Sequence, residues 1–264
     1  MDELPQSGSG RTITTTEPKF LPKEAFDLSL SEDVQLKVRL IDCVGYMVQG
    51  AAGHMEDDQP RLVKTPWSEE KIPFVKAAEI GTRKVMQDHS TIGIVVTCDG
   101  SFSELQRENY IEAESRTVAE MKKLGKPFIV VLNSSRPFAE NTVKLAGELE
   151  NLYQVPVLAL NCEQLRKEDI TKIFESILKE FPITDIEFYM PKWTEMLSSE
   201  SKIKMDLLEG AKKIMANIGR VQDVVPENLQ MESDYVNKVK VDSLNLSNGK
   251  VSLVLDIDLS LIHI

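Results

Sequence analysis

The chain has 264 residues, of which 42% are hydrophobic and 28% charged, and its formal net charge is −11. That is enough apolar material for one large or two small cores, and the acidic balance excludes a nucleic-acid binder built on a basic face and disfavours unaided adsorption to anionic lipid. No apolar run approaches a membrane span, the start Met-Asp-Glu-Leu-Pro-Gln-Ser is no signal peptide, and three cysteines suit a reducing compartment. These properties predict an acidic, soluble, cytosolic globular protein.

Residues 1–19 are polar, with glycine, serine and threonine concentrated between Ser7 and Thr16. Period-two alternation in Phe26-Leu28-Leu30 and Val34-Leu36-Val38-Leu40, about Ser31-Glu32-Asp33, predicts a hairpin. Gln49 to Lys71 shows no clear period and reads as a long loop. A helix is expected over 74–88, then an apolar strand over 92–97 that ends at Asp99-Gly100. A charged amphipathic helix follows over 103–124, stopped by Gly125 and Pro127. Strand 128–132 ends at Asn133, a helix covers 140–152, strand 155–160 ends at Asn161-Cys162, and a helix covers 167–181. Strands without alternation that alternate with helices predict a mostly parallel sheet with helices on both faces. Beyond Pro182 the pattern changes to a helical region over 191–218 and two alternating strands around Ser247-Asn248-Gly249. That tripeptide is a type I′ hairpin signal, and the whole reads as the start of a second, α+β domain.

In an open parallel sheet, ligands sit at the carboxyl ends of the strands. Arg39-Leu40-Ile41-Asp42-Cys43-Val44-Gly45-Tyr46 is an apolar strand ending on an aspartate, with a glycine three residues on. In nucleotide hydrolases such an aspartate holds Mg²⁺ through a water, and the glycine amide faces the terminal phosphate. Asp-x-x-Gly alone is common; its place after a hairpin and a polar threonine loop carries the weight. Thr14, Thr15 and Thr16 fit two readings, β-prone residues of an exposed strand or hydroxyl ligands for Mg²⁺. Asp99 reads as a turn-starter. Asn133-Ser134-Ser135-Arg136 stands where guanine-specific proteins carry Asn-Lys-x-Asp, and Arg136 replaces the acid that would accept from guanine, which favours adenine. Cys43, Cys98 and Cys162 read as small buried fillers, and His54 and His89 lack ligand spacing. The charges of the 103–124 helix read as solvated surface. The phosphate cradle G-x-x-x-x-G-K-[ST] does not occur in these residues.

Several longer strings resemble one family. They are Asp2-Glu3-Leu4-Pro5-Gln6-Ser7, Thr15-Thr16-Glu17-Pro18-Lys19-Phe20, the Arg39–Tyr46 string, Ala78-Glu79-Ile80-Gly81-Thr82-Arg83-Lys84, Asp88-His89-Ser90-Thr91-Ile92-Gly93 and Gly125-Lys126-Pro127-Phe128-Ile129. Together they resemble the stage IV sporulation protein A family, near-continuously from residue 2 to about 185. The resemblance implies a cytoskeletal ATPase of endospore-forming bacteria, related to translation-factor GTPases, that hydrolyses ATP with Mg²⁺ and polymerises into the basement layer of the spore coat. It implies work in the mother-cell cytoplasm at the outer forespore membrane. The implied partners are further copies of itself, coat proteins and a small amphipathic membrane protein as anchor, with no nucleic acid and no membrane span.

Carried over residue by residue, Thr15 and Thr16 resemble the sensor threonines and Asp42 the Walker B aspartate. Asp42 and Thr16 would then serve Mg²⁺, with Gly45 and Asn133 at the nucleotide. The expected fold is a P-loop-NTPase-like sheet missing its first strand, P-loop and first helix over 1–184, followed by a partial α+β domain over 185–258. Residues 259–264 read as a translated sequencing adapter and are set aside. Two other functions stand beside the ATPase: a nucleotide-free self-association module, and a GTPase of the same superfamily.

Overall fold

A computed structural model describes residues 19–29, 35–56, 58–65, 68–102 and 104–257. The chain divides into two units between Ile177 and Leu178. In the first, the predicted hairpin forms from β1 (Lys19–Ser29) and β2 (Gln35–Asp42), antiparallel, with Phe26 opposite Val38 and Lys19 opposite Asp42. The expected loop at 49–71 instead contains two small hairpins, Met55–Glu56 with Gln59–Pro60 and Leu62–Thr65 with Ser68–Pro73. Strands of two to six residues are too short to show a period, so the alternation test had nothing to detect there.

Helix α1 (Phe74–Lys84) buries Phe74, Ala77, Ala78 and Gly81, the i, i+3, i+4, i+7 stripe of an amphipathic helix. It runs into a π-turn at Val85–His89. The Lys126 ammonium closes that end, donating to the carbonyls of Met86, Gln87 and Ser90 at 2.6, 2.7 and 2.6 Å.

Three parallel strands follow, β3 (Gly93–Cys98), β4 (Phe128–Asn133) and β5 (Val157–Leu160), in the order β3-β4-β5. They are joined by α2 (Arg107–Leu124) and α3 (Glu140–Tyr153), and α4 (Lys167–Lys179) follows the last. Helix α2 starts four residues later than the charge pattern suggests, because Gln106 and Asn109 form a capping box; it stops at Gly125 with φ 66° as expected. All five apolar residues of β4 are at most 4% exposed, so it is buried on both faces. By contrast β3, equally apolar, leaves Ile94 37% and Val96 61% exposed. Among the described residues no strand pairs with its outer edge, and the β1–β2 hairpin is a separate sheet. An apolar strand at an open edge is what natural sheets avoid.

The second unit holds β6 (Asp185–Tyr189), α5 (Lys202–Asn217), β7 (Val236–Asn245) and β8 (Lys250–Ile257). The order is β6-β8-β7, with β6 parallel and β7 antiparallel to β8. The sequence pattern did not reveal β6, a five-residue strand. The helical region expected over 191–218 breaks into a 3₁₀ turn, Lys192–Met196, and α5, whose Ser201 hydroxyl caps the Lys204 amide at 3.2 Å. Leu207 and Ile214 of α5 enter one core with Val251, Leu253 and Leu255.

The β7–β8 turn corrects the type I′ expectation. Asn245 pairs with Lys250, so four residues connect the strands, and only Gly249, at φ 64°, has the left-handed backbone. A side chain there would meet the Pro182 carbonyl oxygen at 2.7 Å and the Thr184 hydroxyl at 2.8 Å. Gly249→Ala is therefore expected to destabilise this unit by about 1–2 kcal/mol from backbone strain, with the carbonyl clash in addition. A urea titration showing no shift of the midpoint would contradict the close packing.

Candidate functional site

A cavity of about 570 Å³ is lined by the 41–46 segment, by β3 along its length, by Asn133 at the end of β4, and by Thr82, Glu114 and Thr117 from α1 and α2. Three of the residues singled out from the sequence, Asp42, Gly45 and Asn133, thus border one space. Thr15 and Thr16 lie outside the described residues, and so does the proposed Thr16 ligand to Mg²⁺. Asp42 is exposed. Among the described residues no group of three His, Cys, Asp or Glu side chains stands ready to hold a metal. A single carboxylate is nonetheless a fitting donor for Mg²⁺, which takes one or two carboxylates and draws its other ligands from phosphates and water.

Gly45 is held in the left-handed region, at φ 82°. Its amide donates to the Thr82 hydroxyl at 3.0 Å, a partner that sequence reading did not suggest. Next to it, Cys43 is exposed as a residue. Burial of its thiol nevertheless pushes the pKa up, against hydrogen bonds from the Gly45 backbone and the Thr82 hydroxyl that lower it. Tyr46 anchors the far side of the turn. Its ring is buried, lies 4.1 Å from the Arg116 guanidinium, and its hydroxyl donates to Glu120. Burial and then the Glu120 carboxylate push the phenol up to about 12. Arg116 also pairs with Glu79 at 2.7 Å, which ties α1 and α2 around this turn.

At the ends of β3 and β4 the polar groups are mostly committed to structure. Asp99 accepts from the Ser101 amide at 3.0 Å and the Thr142 hydroxyl at 3.3 Å, the turn-starting role expected of it. Burial alone would raise its pKa, but hydrogen bonds from Ser101, Ser134 and Thr142 hold it below the ordinary aspartate value. The Asn133 side-chain oxygen accepts from the Cys162 amide at 2.9 Å, stitching the end of β4 to that of β5. Cys98 is buried as expected of a filler, whereas Cys43 is exposed and Cys162 intermediate.

One feature corrects the reading of α2 as solvated surface. Glu114 is 4% exposed and faces inward, with Arg107 two turns earlier on the same face. Arg107 Nη2 donates to Glu114 Oε1 at 2.8 Å, and Arg107 Nη1 donates to the Thr97 hydroxyl at 3.1 Å. Tyr153 donates to the same carboxylate oxygen at 2.7 Å. The i, i+7 spacing of opposite charges was the only hint in the sequence.

Comparison with known proteins adds identity to this geometry. Residues 1–182 match the family model described as stage IV sporulation protein A, ATPase domain, and residues 183–263 match the one described as its middle domain. The chain is 45% identical over 254 residues to stage IV sporulation protein A of Clostridioides difficile (strain 630), covering 96% of this chain and 52% of that protein. It is 42% identical over 259 residues to the protein of the same name from Bacillus subtilis (strain 168), covering 98% of this chain and 52% of that one. The chain therefore spans about half the length of the curated relatives it matches. No solved structure matches it. No helix among the described residues is long and apolar enough to cross a membrane.

Proposed function

Since this chain belongs to the stage IV sporulation protein A family, we propose that, at the full length of its relatives, the protein is an ATPase whose hydrolysis drives assembly of the spore-coat basement layer. The observation that carries the reading is the match of residues 1–182 to an ATPase-domain model, together with a cavity that gathers Asp42, Gly45 and Asn133. The fold proposed is P-loop-NTPase-like. Its first strand and phosphate-binding loop would stand between β2 and the edge of β3 that no described strand pairs with, a strand on which Ile94 and Val96 are exposed.

In this reading Asp42 supports Mg²⁺ through a water, the Gly45 amide turns to the γ-phosphate, Asn133 contacts the base, and Thr15 and Thr16 close over the phosphate. Bound Mg²⁺ neutralises charge on the phosphate oxygens. Arg136 in place of an acid favours ATP over GTP. The proposed setting is the mother-cell cytoplasm at the outer forespore membrane, with self-assembly, coat proteins and a small amphipathic membrane protein as partners.

The full-length protein is expected to hydrolyse Mg-ATP in preference to Mg-GTP, and Asp42→Asn to lower turnover about a hundredfold or more. Equal or faster GTP turnover would install the GTPase reading. The second reading is a nucleotide-free module that only self-associates. Filaments that form at the same rate with and without ATP, and no turnover, would establish it.

A further inference from the structure

We propose that Thr82 is a positioning residue that holds the Gly45 amide and competes with the γ-phosphate for it; the inference rests on the ATPase reading above. A backbone amide has one hydrogen to give. Here that hydrogen goes to the Thr82 Oγ1 at 3.0 Å, across 37 residues of sequence. A γ-phosphate bound as proposed would need the same hydrogen. The amide therefore has two alternative acceptors, one neutral and one charged, and the charged one makes the stronger bond.

The local structure fits a latch rather than incidental packing. Thr82 lies within α1 and is 2% exposed, so water does not take the place of its hydroxyl. A threonine inside a helix commonly bonds back to the preceding turn, as Thr117 does in α2 by donating to the Ala113 carbonyl at 2.7 Å. Thr82 serves a different segment. Its oxygen accepts from the Gly45 amide, and Thr82, Cys43 and Gly45 line the same cavity.

The two anchors of the turn differ in kind. Tyr46 is fixed by burial, by the Arg116 guanidinium over its ring and by Glu120. The Gly45 amide is held by a neutral acceptor, the Thr82 hydroxyl, at a φ of 82° where an added Cβ would meet nothing within 4 Å. The glycine is thus required for backbone direction and not for space. The firm anchor stays while the weak one exchanges.

The consequence is specific to the terminal phosphate. Removing the hydroxyl removes the competitor, so ATP should bind more tightly, while ADP, which offers nothing to the Gly45 amide, should be unaffected. Thr82→Val keeps the shape of the side chain, Thr82→Ala lacks the hydroxyl without the branched stem, and Thr82→Ser keeps the hydroxyl. In the full-length protein, equilibrium binding of Mg-ATP and Mg-ADP is measured for all four sequences. The expected result is a roughly three- to tenfold tighter ATP complex for Thr82→Val and Thr82→Ala, unchanged ADP binding, and Thr82→Ser close to the unsubstituted protein. Equal shifts for ATP and ADP, weaker ATP binding, or no shift would overturn the latch while leaving the ATPase reading in place. Failure of the unsubstituted protein to bind ATP would overturn both.

Discussion

Arg107→Ala is expected to cost the first unit about 3–5 kcal/mol, the loss seen when one partner of a buried ion pair is removed. The Glu114 side chain is 1% exposed and that of Arg107 15%, with a closest approach of 2.7 Å between Arg107 Nη1 and Glu114 Oε2. Oε2 meets Arg107 as a charge rather than through an aligned hydrogen bond, since the aligned bond runs from Nη2 to Oε1. After the substitution the carboxylate keeps only the Tyr153 hydroxyl, and the Thr97 hydroxyl loses its donor. Against a typical domain stability of about 5–15 kcal/mol, that loss is a large fraction of the whole. The measurement is the urea midpoint of the first unit. Replacing Arg107 and Glu114 together by apolar residues of similar size should recover most of the loss, because no charge is then left buried. If the single substitution is as mild as a surface change, the pair is not the internal strut described above.

The sequence exposed the parts of the fold that depend on composition along one element. Phe128–Asn133 could be read as a strand buried on both faces because it never alternates, and the stop of α2 could be read from Gly125. It concealed the parts that are short, such as the hairpins between Met55 and Pro73 and the strand at Asp185–Tyr189, where too few residues exist to establish a period. The β7–β8 connection was misread for a different reason. Asn-Gly in a hairpin favours a two-residue turn by local energetics, but the register of Asn245 with Lys250 makes the connection four residues long.

The candidate site divides in the same way. That Asp42 and Asn133 each end an apolar strand could be read from the sequence, whereas their meeting with Gly45 at one cavity could not, because β2 belongs to a sheet separate from the parallel one. The partner of the Gly45 amide did not follow, since Thr82 reaches it from a helix 37 residues away. Nor did the commitment of the Asn133 side-chain oxygen to Cys162, or the inward turn of Glu114 on a helix whose charges otherwise look solvated. Each of these depends on which side chains meet in three dimensions.

The 264 residues by themselves are expected to show no measurable ATP turnover. In P-loop enzymes the backbone cradle and its lysine contact the β- and γ-phosphates, and the serine or threonine of the loop is one of two protein supports for Mg²⁺. None of these groups is in this sequence. Asp42 and Gly45 would then face a substrate that nothing positions, so both the orientation of the reactants and the stabilisation of developing charge are lost. The sheet should suffer as well, because among the described residues no strand pairs with the outer edge of β3, where Val96 is 61% exposed, and such an edge is a template for pairing with other chains. Residues 1–258 should accordingly aggregate more readily than a longer protein that adds a G-x-x-x-x-G-K-[ST] segment, and Val96→Lys should raise their solubility by putting a charge on the edge. The decisive comparison is Mg-ATP turnover by residues 1–258 and by the longer protein, assayed side by side. Comparable rates would mean that the phosphates are held by residues already present here, and would overturn the assignment of phosphate binding to a G-x-x-x-x-G-K-[ST] segment.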